Sequence, residues 1–326
     1  MSKEKIKSFD LIRCVCMLGI VQDHFISLCR EYKINFKLLE FLGGNYGNLG
    51  WGSVGTAIFF MISGSVLIYN YEDKNFDTKQ FYFNRFIKMC PILYFTHIIC
   101  YIIISIINNQ LVYPITIKNI LNMFIGKTLV GEWFTTVIFV CYILFPLFKN
   151  LYNRYKVQTT IIFTIIFIIN QKLLLLTAGG KWASYTNGIF EFWLGMILIN
   201  YINRLNRKHL LTLSICFICM PFVSKAFDLN GTWFYIPTII SSIILFLLML
   251  HINISNSFID KISEYSYGIY LVHHQIMYLT FPIFAISITN QIQCLLSFII
   301  LMVLIYITAE KVSNINTKFI QRIKNI

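Results

Sequence analysis

Residues 11–29 read LIRCVCMLGIVQDHFISLC, an apolar run interrupted by Arg13, Asp23 and His24. The run is long enough to cross the ~30 Å hydrocarbon core of a bilayer as one helix. Ionisable groups at that depth cost roughly 2.5–3.5 kcal/mol for Arg at a helix centre, so they mark function by default. Their spacing sharpens the point. Eleven residues at about 100° each return to within ~20° of the starting face, with a rise of about 16 Å. Arg13 and His24 therefore share one stripe of one helix, Arg13 near a membrane surface and His24 deep inside. The structural alternative is a snorkelling arginine and a histidine bonded to a neighbouring helix.

The remainder of the chain settles the class. Of 326 residues, 57% are hydrophobic and 13% charged, about half the charged share of a soluble domain. The mean hydropathy is +0.68. Further spans are expected at 50–70, 90–108, 130–148, 158–176, 184–201, 209–224, 232–251, 264–287 and 290–310. The expected fold is all-α: a polytopic transmembrane helix bundle of about ten helices. Residues 1–326 are expected to form a single membrane-embedded domain, with no stretch long or polar enough for a soluble one.

Lys and Arg accumulate in cytoplasmic loops. With the N-terminus inside, more than twice as many of the 27 Lys and Arg residues fall inside as outside. Both termini are then cytoplasmic, in a multi-pass protein of the cell membrane. The net charge of +13 needs no nucleic acid, because basic loops meet anionic lipid headgroups, and no nucleic-acid motif is visible. Lys3, Lys5 and Lys7 before an apolar run resemble a signal peptide. Arg13, Asp23 and His24 interrupt that run, however, and no small-x-small cleavage site follows. The nine cysteines lie mostly in the spans, where Cys behaves as a small hydrophobe. Cys216 and Cys219 have metal or redox spacing but stand in apolar surroundings without a second pair, so no metal is expected.

Other polar groups fall at membrane depth on separate segments. Ser63 and Gly64 lie mid-span in IFFMISGSVL, where small residues let backbones approach. Arg85 and Lys88 in NRFIKMCP are three residues apart, hence on one face. Interleaved aromatics there suggest an amphipathic helix lying on the membrane, and two cations at a cytoplasmic mouth suit a polyanionic cofactor. Glu132 and Trp133 stand at the outer interface. Glu191 is near mid-depth and needs a partner. His273 and His274 lie ~13–15 Å from the cytoplasmic side; consecutive residues point apart, so only one of the two is expected to share a face with a site. His97, His209 and His251 read as ordinary packing or interfacial histidines. Together these groups imply an internal polar cavity with a basic mouth, as in an enzyme using an anionic cytosolic donor or in a transporter.

At these residues the sequence resembles the acyltransferase-3 family of integral-membrane enzymes. FDLIRCVCMLGIVQDHF is similar to the family's opening motif, with Arg13 and His24 at its Arg-x10-His spacing. IFFMISGSVL resembles the Phe-Phe-x-x-Ser-Gly signature. NRFIKMCPILY is similar to the Arg-x-x-Arg stretch before a proline, with Lys88 in place of the second arginine. GEWFTTVIFVCYILFPLF and ISEYSYGIYLVHH complete five elements in order over residues 9–274. The chain looks like the stand-alone type found among polysaccharide O-acetyltransferases.

The resemblance implies transfer of an acyl group, acetyl foremost, from cytosolic acyl-CoA to a hydroxyl of a cell-surface or lipid-linked carbohydrate. His24 is then the catalytic histidine, as general base or covalent acyl carrier, with Arg13 as its electrostatic partner. Arg85 and Lys88 hold donor phosphates, with Ser63 and Gly64 beside the cofactor, and His273, Glu191, Glu132 and Trp133 shape the acceptor site. The Lys88 departure keeps the charge and loses the planar fork. Acetyl-CoA enters as co-substrate, without a metal. His24 in the outer half points to a lipid-linked or exported glycan near the outer face. The rival reading is a transporter or flippase for glycan intermediates, which predicts internal repeats and broken helices in matching halves; no repeat is visible.

Overall fold

The computed structural model describes residues 6–34, 36–37, 50–72, 76–110, 116–124, 132–173, 181–202, 204–226 and 235–324. Among the described residues every regular element is helical. The helices are α1 (Ser8–Glu31), α2 (Gly50–Tyr71), α3 (Thr78–Ile107), α4 (Ile117–Phe124) and α5 (Glu132–Leu173), followed by α6 (Lys181–Leu198), α7 (Arg207–Ala226), α8 (Ile236–Leu250), α9 (Ser257–Ala285) and α10 (Gln291–Lys324). By length and composition α1, α2, α3, α7, α10 and the bulk of α5 can each cross a membrane, and α8 is a shorter apolar helix. The chain is a polytopic all-α membrane protein.

The expected spans map onto these helices with two differences. The basic stretch before Pro91 does not lie apart from the next span; both belong to α3. Asp77 starts that helix by accepting hydrogen bonds from the backbone N–H groups of Lys79 and Gln80, at 2.9 and 3.1 Å. Pro91 removes one ladder bond, but membrane helices absorb such a loss through their neighbours. The two segments expected at 130–148 and 158–176 are the two helical arms of α5, which meet at the non-helical Tyr155 (φ −136°, ψ 36°). Beside the break the Lys156 ammonium lies 3.9 Å from the centre of the Tyr152 ring. Helix α4 is additional.

The chain divides into two compact units. The first comprises residues 1–23, 40–76 and 143–263. Its core is the packing of α2 on α6 and α8, with α8 also against α7. Glycine makes the first of these contacts possible. A Cβ placed on Gly64 would land on the Phe192 carbonyl oxygen, and one on Gly195 would land on the Met61 carbonyl oxygen. Backbones that close leave no room for side chains, the small-residue packing of membrane helices. The Ser65 hydroxyl closes the seam by donating to the Gly195 carbonyl at 2.6 Å. Behind it, Trp193 is wholly buried against Phe148 and Phe163, and its indole N–H donates to Thr160 at 3.0 Å. Burial of this kind satisfies the polar end of a large apolar ring.

The second unit comprises residues 24–39, 77–142 and 264–326. In it α3 packs on α10, and Gly268 of α9 lets the Ala309 carbonyl of α10 come close, 3.1 Å from where a Cβ would stand. Phe25, fully buried, is held by the rings of Phe36, Phe281 and Phe298 at 6.1, 5.4 and 5.0 Å. Residues of α1 up to Asp23 belong to the first unit, and those from His24 onward to the second.

Candidate active site

Three imidazoles meet in the second unit. The His24 ring centre lies 5.2 Å from that of His273 and 4.0 Å from that of His274. The two histidines of α9 are themselves 4.6 Å apart and nearly perpendicular. The expectation that only one of the pair could face His24 is therefore corrected. Side chains one residue apart diverge by about 100° around a helix, but imidazole rings extend far enough for a third ring to touch both. His24 supplies that ring from α1.

One proton position follows from the geometry. His273 Nδ1 is 2.7 Å from the Tyr270 carbonyl oxygen. A carbonyl only accepts, so Nδ1 carries the hydrogen and Nε2 presents its lone pair. Nε2 is buried and has no hydrogen-bond partner among the described residues. Tyr270 is held in turn against Phe134 of α5, at 5.0 Å between ring centres. Aromatic rings thus pack beside the His273 imidazole.

Arg85 and Lys88 belong to the same unit, on α3. Arg85 lies over two aromatic faces, those of Phe81 and Tyr142, each 5.7 Å from its central carbon. Its Nε is buried without a hydrogen-bond partner among the described residues. Both distances are within cation–π range. Lys88 is exposed.

Of the other candidates, Arg13, Ser63, Gly64 and Glu191 fall in the first unit, and Glu132 and Trp133 in the second. Arg13 pairs with Asp10 at 3.4 Å, one turn earlier on α1, and Asp10 also accepts a 2.7 Å hydrogen bond from the Ser263 hydroxyl. Asp10 is buried, so Arg13 supplies the counter-charge that a buried carboxylate requires. Glu191 is 1% exposed and accepts a 2.7 Å hydrogen bond from the Tyr235 hydroxyl, which is the partner that its depth demanded. Ser63 donates to the Phe59 carbonyl of its own helix at 2.7 Å, and Gly64 belongs to the α2–α6 seam. Trp133 is exposed near the start of α5; Glu132 opens that helix, and its side chain lies outside the described residues.

The structure thus brings His24 and His273 together and adds His274, Tyr270 and Phe134, which sequence reading passed over. Asp10, three residues before Arg13, was within reach of the spacing argument. Ser263 and Tyr235 carried no sequence signal.

An acyltransferase-domain family model matches residues 6–310. No curated protein and no solved structure matches the chain. The family match runs from before α1 into α10 and includes every candidate site residue, so the chain belongs to the acyltransferase-3 family and is a membrane acyltransferase.

Proposed function

We propose that the enzyme moves an acyl group, acetyl foremost, from acyl-CoA to a hydroxyl of a cell-surface or lipid-linked carbohydrate. The observation that carries this reading is the His24 imidazole in contact with two others, one of which has a tautomer fixed by a backbone carbonyl. A sugar hydroxyl is a poor nucleophile near neutral pH. An imidazole that removes its proton as the oxygen attacks typically contributes ~10²–10⁴-fold. In the proposed step the hydroxyl oxygen bonds to the thioester carbonyl carbon while His24 takes the hydroxyl proton. The carbon–sulfur bond then breaks, and the proton passes to the departing CoA thiolate. Acyl ester and CoA are the products, and His24 returns to its starting form.

The donor carries several phosphate charges. Arg85, within cation–π range of Phe81 and Tyr142, and the exposed Lys88 are assigned to those phosphates. Arg13, tied to Asp10 and about 16 Å along α1 from His24, is assigned to offset the negative charge of CoA rather than to touch the reacting carbonyl. His273 and Trp133, both in the second unit, are assigned to the acceptor; Glu191 is engaged by Tyr235 in the first.

The test is CoA release from labelled acetyl-CoA by purified protein in lipid, with glycan from the source cell as acceptor. CoA release with label appearing on the glycan is expected. Folded protein that neither binds nor consumes acyl-CoA would sink the reading and favour a transporter. Arg85→Ala separates donor from acceptor. Losing a charge-assisted contact of ~1.5–3 kcal/mol should raise KM for acyl-CoA by about 10- to 100-fold and leave KM for the acceptor unchanged. An equal rise for both would remove Arg85 from the donor site.

Arg13 is tested by a pair of variants. Arg13→Ala should inactivate, and Arg13→Lys should restore little, because an ammonium cannot reproduce the fork. Full rescue by lysine would reduce the role of Arg13 to charge alone.

A further inference from the structure

The three histidines offer a second chemistry. One ligand nitrogen from each of His24, His273 and His274 can be chosen so that all three atoms lie within 4.8 Å of one another. We propose that they form a tris-imidazole site for a divalent cation of the zinc class, whose occupancy takes the lone pair of His24 and so switches acyl transfer off. The inhibitory half rests on the assignment of His24 as base; the binding half stands without it.

The donor set decides the ion. Neutral imidazoles suit zinc, copper and nickel, whereas magnesium and calcium select oxygen ligands. Zinc binds histidine nitrogen at about 2.0–2.1 Å and accepts three histidines with a fourth position open to water. That geometry needs nitrogens ~3.4 Å apart, so the widest spacing present must close by about an ångström or somewhat more, within the reach of side-chain rotation. The Tyr270 carbonyl already performs the outer-shell task typical of such sites. It accepts the hydrogen of one ring nitrogen, which fixes the tautomer and aims the other nitrogen inward. His273 Nε2, buried and without a hydrogen-bond partner among the described residues, is the lone pair left to bind an ion. The ligands come from positions 24, 273 and 274, so no short spacing motif announces them.

Occupancy and catalysis exclude each other for a simple reason. A lone pair donated to a metal cannot accept a proton from a sugar hydroxyl. The predicted result is reversible inhibition that follows zinc binding in stoichiometry and is relieved by a chelator.

The experiment uses the full chain in lipid, stripped with chelator and titrated with radiolabelled zinc by equilibrium dialysis. His24→Ala, His273→Gln and His274→Gln are measured beside the wild type, with helicity and monodispersity as folding controls. One zinc per chain is expected, not displaced by excess magnesium, with affinity at least about tenfold weaker in each folded variant. Absence of binding by folded wild type, or equal binding by all folded variants, would overturn the site. Binding that depends on the three histidines, together with undiminished acyl transfer in zinc-loaded protein, would establish the site and remove His24 from the role of base.

Discussion

His24→Ala is expected to lower acyl transfer by at least ~10²–10⁴-fold, the range a positioned general base supplies, while membrane expression and helix content stay at wild-type levels. The ring touches His273 and His274 and is half-buried, so its loss leaves a gap reachable by water rather than a sealed cavity. The adjoining core around Phe25, with its three aromatic neighbours, is untouched. CoA release by purified wild type and variant, normalised to folded protein, gives the answer. Transfer by the variant at the wild-type rate would falsify the assignment. The same assay with His273→Gln is informative in degree. Glutamine keeps a polar group but not the nitrogen lone pair set by Tyr270, so a smaller loss is expected than for His24→Ala.

Gly195→Ala is expected to give the largest stability loss of any single added methyl group in the α2–α6 seam. Propensity alone argues the reverse, since alanine is favoured over glycine in a helix interior by about 0.8–1.0 kcal/mol. Packing decides. The new Cβ would land on the Met61 carbonyl oxygen, and that neighbour is backbone, not a side chain free to rotate away. Overpacking of this kind costs about 1–3 kcal/mol or more, and the displaced strain would also pull on the Ser65–Gly195 hydrogen bond. Gly19→Ala is the control. Its Cβ would meet the Trp51 side chain at 3.5 Å, an ordinary contact, so the propensity gain should survive. A thermal scan of both variants in the same lipid should lower the midpoint for Gly195→Ala and leave it level or raised for Gly19→Ala. A raised midpoint for Gly195→Ala would show that the seam can open at little cost.

Helix positions were legible because hydrophobic length reports the bilayer directly. Charge and proline were less reliable punctuation. The basic stretch around Arg85 looked separate from the span after Pro91, yet α3 continues through the proline. Lys149, Arg154 and Lys156 looked like a loop, yet only Tyr155 leaves the helical conformation. A loop was inferred from polarity, and polarity is equally at home on a helix that reaches the headgroup layer. At the candidate site, His24 and His273 stood out as buried imidazoles in an apolar sequence. His274 was set aside on the argument that neighbouring residues diverge, which treats side chains as directions and ignores their reach. Tyr270 contributes a backbone carbonyl, and no side-chain pattern encodes that. Tyr235 stands far from Glu191 in sequence, so their pairing became visible only in the fold.

The break at Tyr155 bears on how the chain enters the membrane during synthesis. A helix of 42 residues would extend about 63 Å if straight, twice the ~30 Å hydrocarbon thickness. It cannot be inserted as one rod without leaving half its apolar surface in water. Lys149, Arg154 and Lys156 cluster about its midpoint, with Lys149 drawn over Phe76 and Lys156 over Tyr152. These cations hold the midpoint at the headgroup layer while the apolar arms on either side partition into lipid. Phe148 and Phe163, on opposite sides of the break, stand 5.7 Å apart between ring centres, so the two arms already lie against each other as a hairpin short enough for the bilayer.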